Sequence, residues 1–162
     1  MRPTGSEERV MSDEFSSQTL SGVQIDSLTA NEFAVELEGE RISGVFRVTG
    51  LTPFKLDVKP SLTKIVRDPF KISKMVQRDP NSIFNRWLQE TTRSREDIVR
   101  PTRRLAVVAL DEGIETRRWE IIGAYITEVA YSEFNSGSRD LVEEVLTIMY
   151  ERVEEVWPDP GV

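Results

Sequence analysis

Few side chains in this chain of 162 residues are spaced for catalysis. Ser61 and Lys64 have the Ser-x-x-Lys spacing that in some acylating enzymes sets an amine beside a serine nucleophile. The companion S-D-N and K-T-G motifs are missing, and the four residues read more simply as the edge of a strand. Glu143-Glu144 and Glu154-Glu155 are paired carboxylates. Acid–base work, however, needs two carboxyls that converge across a cleft with separated pKa values. Sequence neighbours point to opposite faces of a strand, or diverge by about 100° around a helix. These are charges for solvent or an interface.

Arg93, Arg95, Arg100, Arg103 and Arg104 cluster as phosphate-binding residues do. The net charge of −7 and the few aromatics in that belt argue against nucleic acid as the ligand. There is no cysteine and no histidine. Disulfides, thiolate zinc sites, thiol nucleophiles and the commonest neutral-pH base are therefore excluded. No glycine-rich phosphate cradle precedes a helix, and no aspartate spacing matches a calcium loop. The residues predict no enzyme, no catalytic residue, no cofactor and no metal.

The elements that could position an interface are more legible. The length suggests one principal domain, and the 38% hydrophobic share predicts a modest core that partners complete. No apolar run approaches the roughly 20 residues of a membrane span, and "MRPTGSEERVMSDEFSSQTLSG" lacks the apolar core of a signal peptide. These features predict a soluble chain made in the cytoplasm, without stable membrane binding. Charge is segregated: residues 61–104 hold eleven basic against five acidic side chains, and residues 140–162 hold seven acidic against one basic. Such halves can meet within a fold or between stacked copies.

Residues 1–29 are polar and aperiodic and read as a flexible arm, 30–157 as the domain and 158–162 as a tail. Phe33, Val35 and Leu37 alternate with glutamates, and the turn at Gly39-Glu40 leads into Ile42–Val48, which predicts a hairpin. Residues 52–79 carry short alternating pieces broken by Pro53, Pro60 and Pro69, which predicts edge strands or an extended arm. "RDPNSIFNRWLQETT" predicts a helix capped by Asn81 or Ser82, with Ile83, Phe84, Trp87 and Leu88 on one face. A hairpin follows over about 102–131, then a turn at "NSGS", 135–138. For 141–157 the periodicity favours a helix, through Val142, Val145, Leu146, Met149, Val153 and Val156.

"LAVVALDEGIETRRWEIIGAY", residues 105–125, poses a further problem. Both runs are apolar on two faces, and a two-faced strand must be covered twice. The chain's own core can cover one face. The expectation is that a neighbouring subunit covers the other, the alternative being a sandwich or barrel interior within one copy.

Three stretches together resemble the tube proteins of contractile tails: the inner tubes of contractile-tailed phages and phage-like injection systems and, distantly, the type VI secretion tube. "FAVELEGERISGVFRVTGL" resembles the opening hairpin with its Thr49-Gly50-Leu51 step. "KISKMVQRDPNSIFNRWLQE" resembles the strand and short helix bearing a tryptophan, here Trp87. The segment from Arg103 to about 156 resembles the C-terminal half, with Trp119 to Ala124 in its Trp-x-x-x-x-Ala strand. The resemblance implies a mainly β fold, a β-sandwich or barrel with one flanking α-helix. It implies six copies in a ring and rings stacked as a hollow conduit inside a contractile sheath. It also implies that the final segment is a strand, and this replaces the helix that periodicity favours.

Implied partners are further copies of the chain, a sheath protein, baseplate and tail-terminator proteins, and a cargo of DNA or protein effector in the lumen. The location implied is a virion tail or an injection particle, an extracellular one included, after cytoplasmic assembly. Contacts between subunits are expected at Phe54, Leu56, Val58, Ile65 and Val66 of the proline-broken arm. Trp119, Ile121 and Tyr125 of the long hairpin, and Glu154 and Glu155 of the acidic end, are expected to contribute too. The N-terminal arm is expected to join contacts between rings. The alternatives are a tube-initiating, baseplate or tail-completion ring of the same fold, or a monomeric β-sandwich that binds a ligand.

Overall fold

The structure is a computed structural model that describes residues 27–158, together with the backbone of residues 19–20 and 23–24. The chain divides into residues 1–30 and 31–162. In the first unit β1 (Thr19–Leu20) and β2 (Val23–Gln24) pair antiparallel. This short ladder lies inside the stretch read as an aperiodic arm. Residues 1–18, 21–22 and 25–26 of that arm, and residues 159–162 of the expected tail, lie outside the described residues.

The second unit is mainly β with one helix. Its strands are β3 (Phe33–Leu37), β4 (Glu40–Arg41), β5 (Val45–Thr49), β6 (Leu56–Lys59), β7 (Leu62–Ile65) and β8 (Phe70–Met75). After helix α1 (Ile83–Ser94) come β9 (Arg103–Asp111), β10 (Ile114–Tyr131), β11 (Glu143–Met149) and β12 (Arg152–Val156). Eight strands form one antiparallel sheet in the order β4-β3-β9-β10-β11-β8-β5, with β12 also on β10. Strands β6 and β7 form a separate two-stranded ribbon.

Strand β10 is the hinge of this sheet. Residues up to Ala124 pair with β9 on one edge, and Arg118–Ile122 pair with β12 on the other. From Tyr125 onward the partner is β11. The change falls at Gly123, whose φ of +67° suits a residue without a side chain; a Cβ there would lie 3.0 Å from Cβ of Glu151. The two halves contribute to one core, with Val35, Leu37, Leu105 and Ile121 from the first and Phe70, Ile72, Leu146 and Ile148 from the second. Helix α1 adds Phe84 and Trp87, in edge-to-face contact at 6.2 Å. Ser82 caps the helix by accepting from the amide of Asn85 at 3.2 Å. The indole of Trp87 donates to the carbonyl of Pro101 at 2.8 Å, which ties the helix to the approach of β9.

Four expectations are corrected. First, the opening hairpin is shorter than read. Glu38 and Gly39, both at positive φ, make the turn, but only Glu40–Arg41 returns along β3. The chain then leaves, and β5 pairs with β8 on the far side of the sheet. Second, β8 is not an edge strand: it lies between β11 and β5, with prolines only outside its ends. Third, 141–157 is extended, as the resemblance implied and the periodicity did not, but it forms two strands where a single one was expected. In β11 the buried residues are Glu144, Leu146 and Ile148, a strict period of two. The helical stripe came from half-buried Val145 and Met149 on the other face.

Fourth, the second face of the first run, Leu105–Leu110, is covered by this chain itself, while Trp119, Ile122 and Tyr125 of the return run stay half-buried. All six residues Leu105–Leu110 are buried in one copy. Leu105 and Val107 enter the main core, while Ala106, Val108 and Leu110 pack with Ala34 on the reverse side. Over that reverse side lies an ionic strap. Arg118 on β10 binds Glu36 on β3 through both guanidinium ends, at 2.7 and 3.2 Å. It thus reaches across β9, and two strand spacings are roughly 9–10 Å. Small Ala106 and Val108 in the intervening strand leave room for the crossing. Hydrogen bonding to Glu36, and further to Glu115, holds Arg118 above its already high pKa against the cost of burial. Strips of oil one side chain wide need no neighbour when a long amphipathic side chain lies over them.

Candidate assembly surface

The ribbon exposes Leu56, Val58, Leu62 and Ile65 within one short stretch of chain. Register pairs Leu56 with Ile65, Asp57 with Lys64, Val58 with Thr63 and Lys59 with Leu62. Residues directly opposite share a face, and alternate residues share it too. One face therefore carries Leu56, Val58, Thr63 and Ile65, and the other Asp57, Lys59, Lys64 and Leu62. Both faces are largely open, and Val58 is 71% exposed. Phe54, also exposed, sits on the leg leading in. A two-stranded ribbon is marginal alone, so an amphipathic one with its oily face bare is built to meet another surface.

Of the residues expected at subunit contacts, the structure brings Phe54, Leu56, Val58 and Ile65 together here. Val66 closes the ribbon's base, its amide donating to the carbonyl of Lys55 at 2.9 Å. The hairpin residues lie elsewhere, on the main sheet. Ile121 is 0% exposed and is used by the chain's own core, so its side chain is not available to a neighbour. Trp119 is half-buried against that core. Tyr125 is half-buried and lines a cleft of about 770 Å³ between β10 and the end of α1. Ser61 and Lys64 are both exposed on the ribbon, with Lys64 opposite Asp57.

The charged segments are more self-sufficient than their segregation suggested. Glu154 is held by Arg152 at 2.8 Å and Glu155 by Arg117 at 3.1 Å. Of the basic belt, Arg103 pairs with Glu90 and Arg104 with Glu120. Arg93 bonds Gln89, and Arg100 bonds the carbonyl of Arg95.

Three surface features escaped the sequence reading. Ile98, 98% exposed, and Val99 stand bare in the charged loop after α1. Trp157 lies over Arg117, whose guanidinium carbon is 3.6 Å from the ring centroid. Backbone edge is open at several places in the main sheet: among the described residues β12 pairs only with β10, β5 only with β8, β4 only with β3, and Tyr125–Tyr131 of β10 only with β11. The apolar pair amid charges at 98–99 was the one available signal; open edges follow from pairing, which no local pattern reports. No group of three or more Asp or Glu side chains among the described residues is arranged to hold a metal. No helix among them is long and apolar enough to cross a membrane.

The second unit thus combines a folded eight-stranded antiparallel sheet, one flanking helix and a separate two-stranded ribbon. Residues 60–154, more than half of the chain, match the family described as T4-like virus tail tube protein gp19, and the chain belongs to that family. Its fold is shared with solved assemblies. It is similar to a chain of the PVC extracellular contractile injection system, sheath–tube complex in the extended state, with a TM-score of 0.63 and 15% identity over 82% of this chain and 93% of that one. A chain of the anti-feeding prophage cap, the tube-terminating cap, gives 0.67 and 16% over 84% and 95%. Hcp1 from Flavobacterium johnsoniae gives 0.51 and 11% over 76% and 94%. Among curated protein sequences none matches significantly.

Proposed function

We propose that this chain is the repeating subunit of the inner tube of a contractile injection system or phage tail. Six copies close into a ring, and stacked rings form a hollow conduit inside a contractile sheath. The observation that carries this reading is the ribbon: an amphipathic two-stranded projection with an uncovered apolar face, on a fold of the tail tube family. The open edges of β10 and β12 lie on opposite sides of the sheet and suit a head-to-tail contact, in which each copy extends the sheet of the next. Leu56, Val58 and Ile65, with Phe54 at the base, make the contact between rings. Tyr125 belongs to the contact around the ring, while Glu154 and Glu155 set register at its rim. The sheath protein, the baseplate and terminator proteins and a DNA or protein cargo are the further partners. The assembled particle is the working location.

Electron microscopy of the purified chain and of Val58→Glu tests the proposal. The wild type is expected to form tubes or stacked rings. Val58→Glu is expected to keep its fold, because Val58 contributes nothing to the core, and to stop at single rings or monomers. Single rings from the wild type would assign the chain to a tube end. Monomers at high concentration would overturn self-assembly altogether.

A further inference from the structure

The ribbon is useful to an assembly only if it points one way, and its own two strands cannot fix that direction. The chain is anchored in the core by Leu51 before it and by Phe70 after it. Between these anchors run two legs, each carrying a proline, Pro53 and Pro69, that has no backbone donor. At the surface the legs are joined by Lys55 and Asp68 at 2.8 Å, an exposed pair open to screening.

One buried group touches both legs. The hydroxyl of Tyr150 lies 2.9 Å from the carbonyl oxygen of Asp68 and 3.3 Å from that of Thr52. A phenol has one proton, so it donates to one carbonyl at a time, with Asp68 the closer partner. Tyr150 occupies the corner of the sheet, between β11 and β12. There the amide of Glu151 donates to the carbonyl of Ile122, beside Gly123. Its ring is 4% exposed and packs on Phe70 at 5.9 Å between centroids. The corner is therefore rigid, and the hydroxyl projects from it.

We infer that Tyr150 is a positioning residue that fixes the angle at which the ribbon leaves the sheet. The part of this inference that concerns assembly rests on the reading of the ribbon as the contact between rings; the local part does not. With Tyr150 in place the ribbon keeps its direction whatever the salt concentration. Without the hydroxyl, the side-chain tie left across the legs is the Lys55–Asp68 ion pair, and salt weakens it.

Tyr150→Phe removes the hydroxyl and keeps the ring on Phe70, so the chain still folds. Amide exchange of the soluble subunit is expected to speed up about tenfold over residues 55–66, the equilibrium worth of roughly one hydrogen bond. Amides of β9 and β10 are expected to keep their protection. In assembly, Tyr150→Phe is expected to lose tubes at salt concentrations where the wild type keeps them. Asp68→Asn, which removes the ion pair and leaves the Asp68 carbonyl, is expected to assemble as the wild type does. Unchanged exchange over the ribbon in Tyr150→Phe would overturn the inference. So would wild-type salt dependence of its assembly. If the wild type itself formed no rings, the assembly reading alone would fall, and the exchange comparison would still decide the role of Tyr150.

Discussion

The most incisive test of the fold is an ion pair inside it. Lys74 on β8 and Glu144 on β11 face each other in register, 0% and 2% exposed, with Nζ 3.3 Å from Oε1. They belong to a row of cross-strand neighbours running Val45, Lys74, Glu144, Tyr131. Lys74 also donates to the carbonyl of Met75 at 2.9 Å and lies 4.5 Å from the centroid of the Phe84 ring on α1. The pair thus caps the apolar stripe of Phe70, Ile72, Leu146 and Ile148. Neutralising one member strands the other charge in the interior. Glu144→Gln and Lys74→Met are each expected to cost about 3–5 kcal/mol. For a domain of this size that lowers the melting temperature by roughly 10–20 °C.

Removing both charges has a different outcome, because neither desolvation penalty remains. Lys74→Met with Glu144→Leu is expected to fall between no cost and a stabilisation of about 1–4 kcal/mol. Urea unfolding of the wild type, the two single variants and the double variant measures this directly, with the slope checked for constancy. Single costs below about 1 kcal/mol would mean that water reaches the pair and that the packing of α1 over β8 is wrong. A double variant as unstable as the two singles combined would refute the desolvation reasoning itself.

Two further outcomes follow from the corner of the sheet. Gly123→Ala places a Cβ at 3.0 Å from Glu151 Cβ on a residue with φ of +67°, and is expected to destabilise by about 1–3 kcal/mol in thermal unfolding. An unchanged melting temperature would place the bend elsewhere. Burial, and the nearby carboxylates of Asp68 and Glu144, raise the Tyr150 and Tyr131 phenols above their ordinary 10.0. A phenol raised on folding supports the native state fully below the unfolded value. That support is lost as pH climbs from about 10 through the folded values. Alkaline unfolding should therefore begin above pH 10 and start later in Tyr150→Phe; identical curves would show that this phenol is not the one responsible.

What could be read without coordinates was local. Asn81 or Ser82 had to cap, and Ile83, Phe84, Trp87 and Leu88 had to share a face, because capping and helical spacing act within one turn. Asp111-Glu112-Gly113 had to reverse the chain between two apolar runs, and it does so with Glu112 and Gly113 at positive φ. The bare apolar ribbon was foreshadowed by Pro53, Pro60 and Pro69, which keep residues 53–69 out of any central ladder. The exposure of Phe54, Leu56, Val58 and Ile65 was accordingly legible. Ile121 was not separable from them, because an interior strand and an interface strand have the same alternation.

Tertiary structure alone decided the rest, since it depends on pairs distant in sequence. Nothing local sends β5 to β8 and not back to β3, or lets the apolar stripe of 141–157 settle as strands on β10. Nor does any local pattern say that a glutamate at 36 and an arginine at 118 will meet over β9 and dry the face that seemed to need a neighbour. Side-chain type and spacing determined which segments could be strand, helix or turn. Which strands met, where Gly123 folded the sheet, and which oil stayed bare were settled by closure of the core, a balance among long-range contacts that no single segment carries.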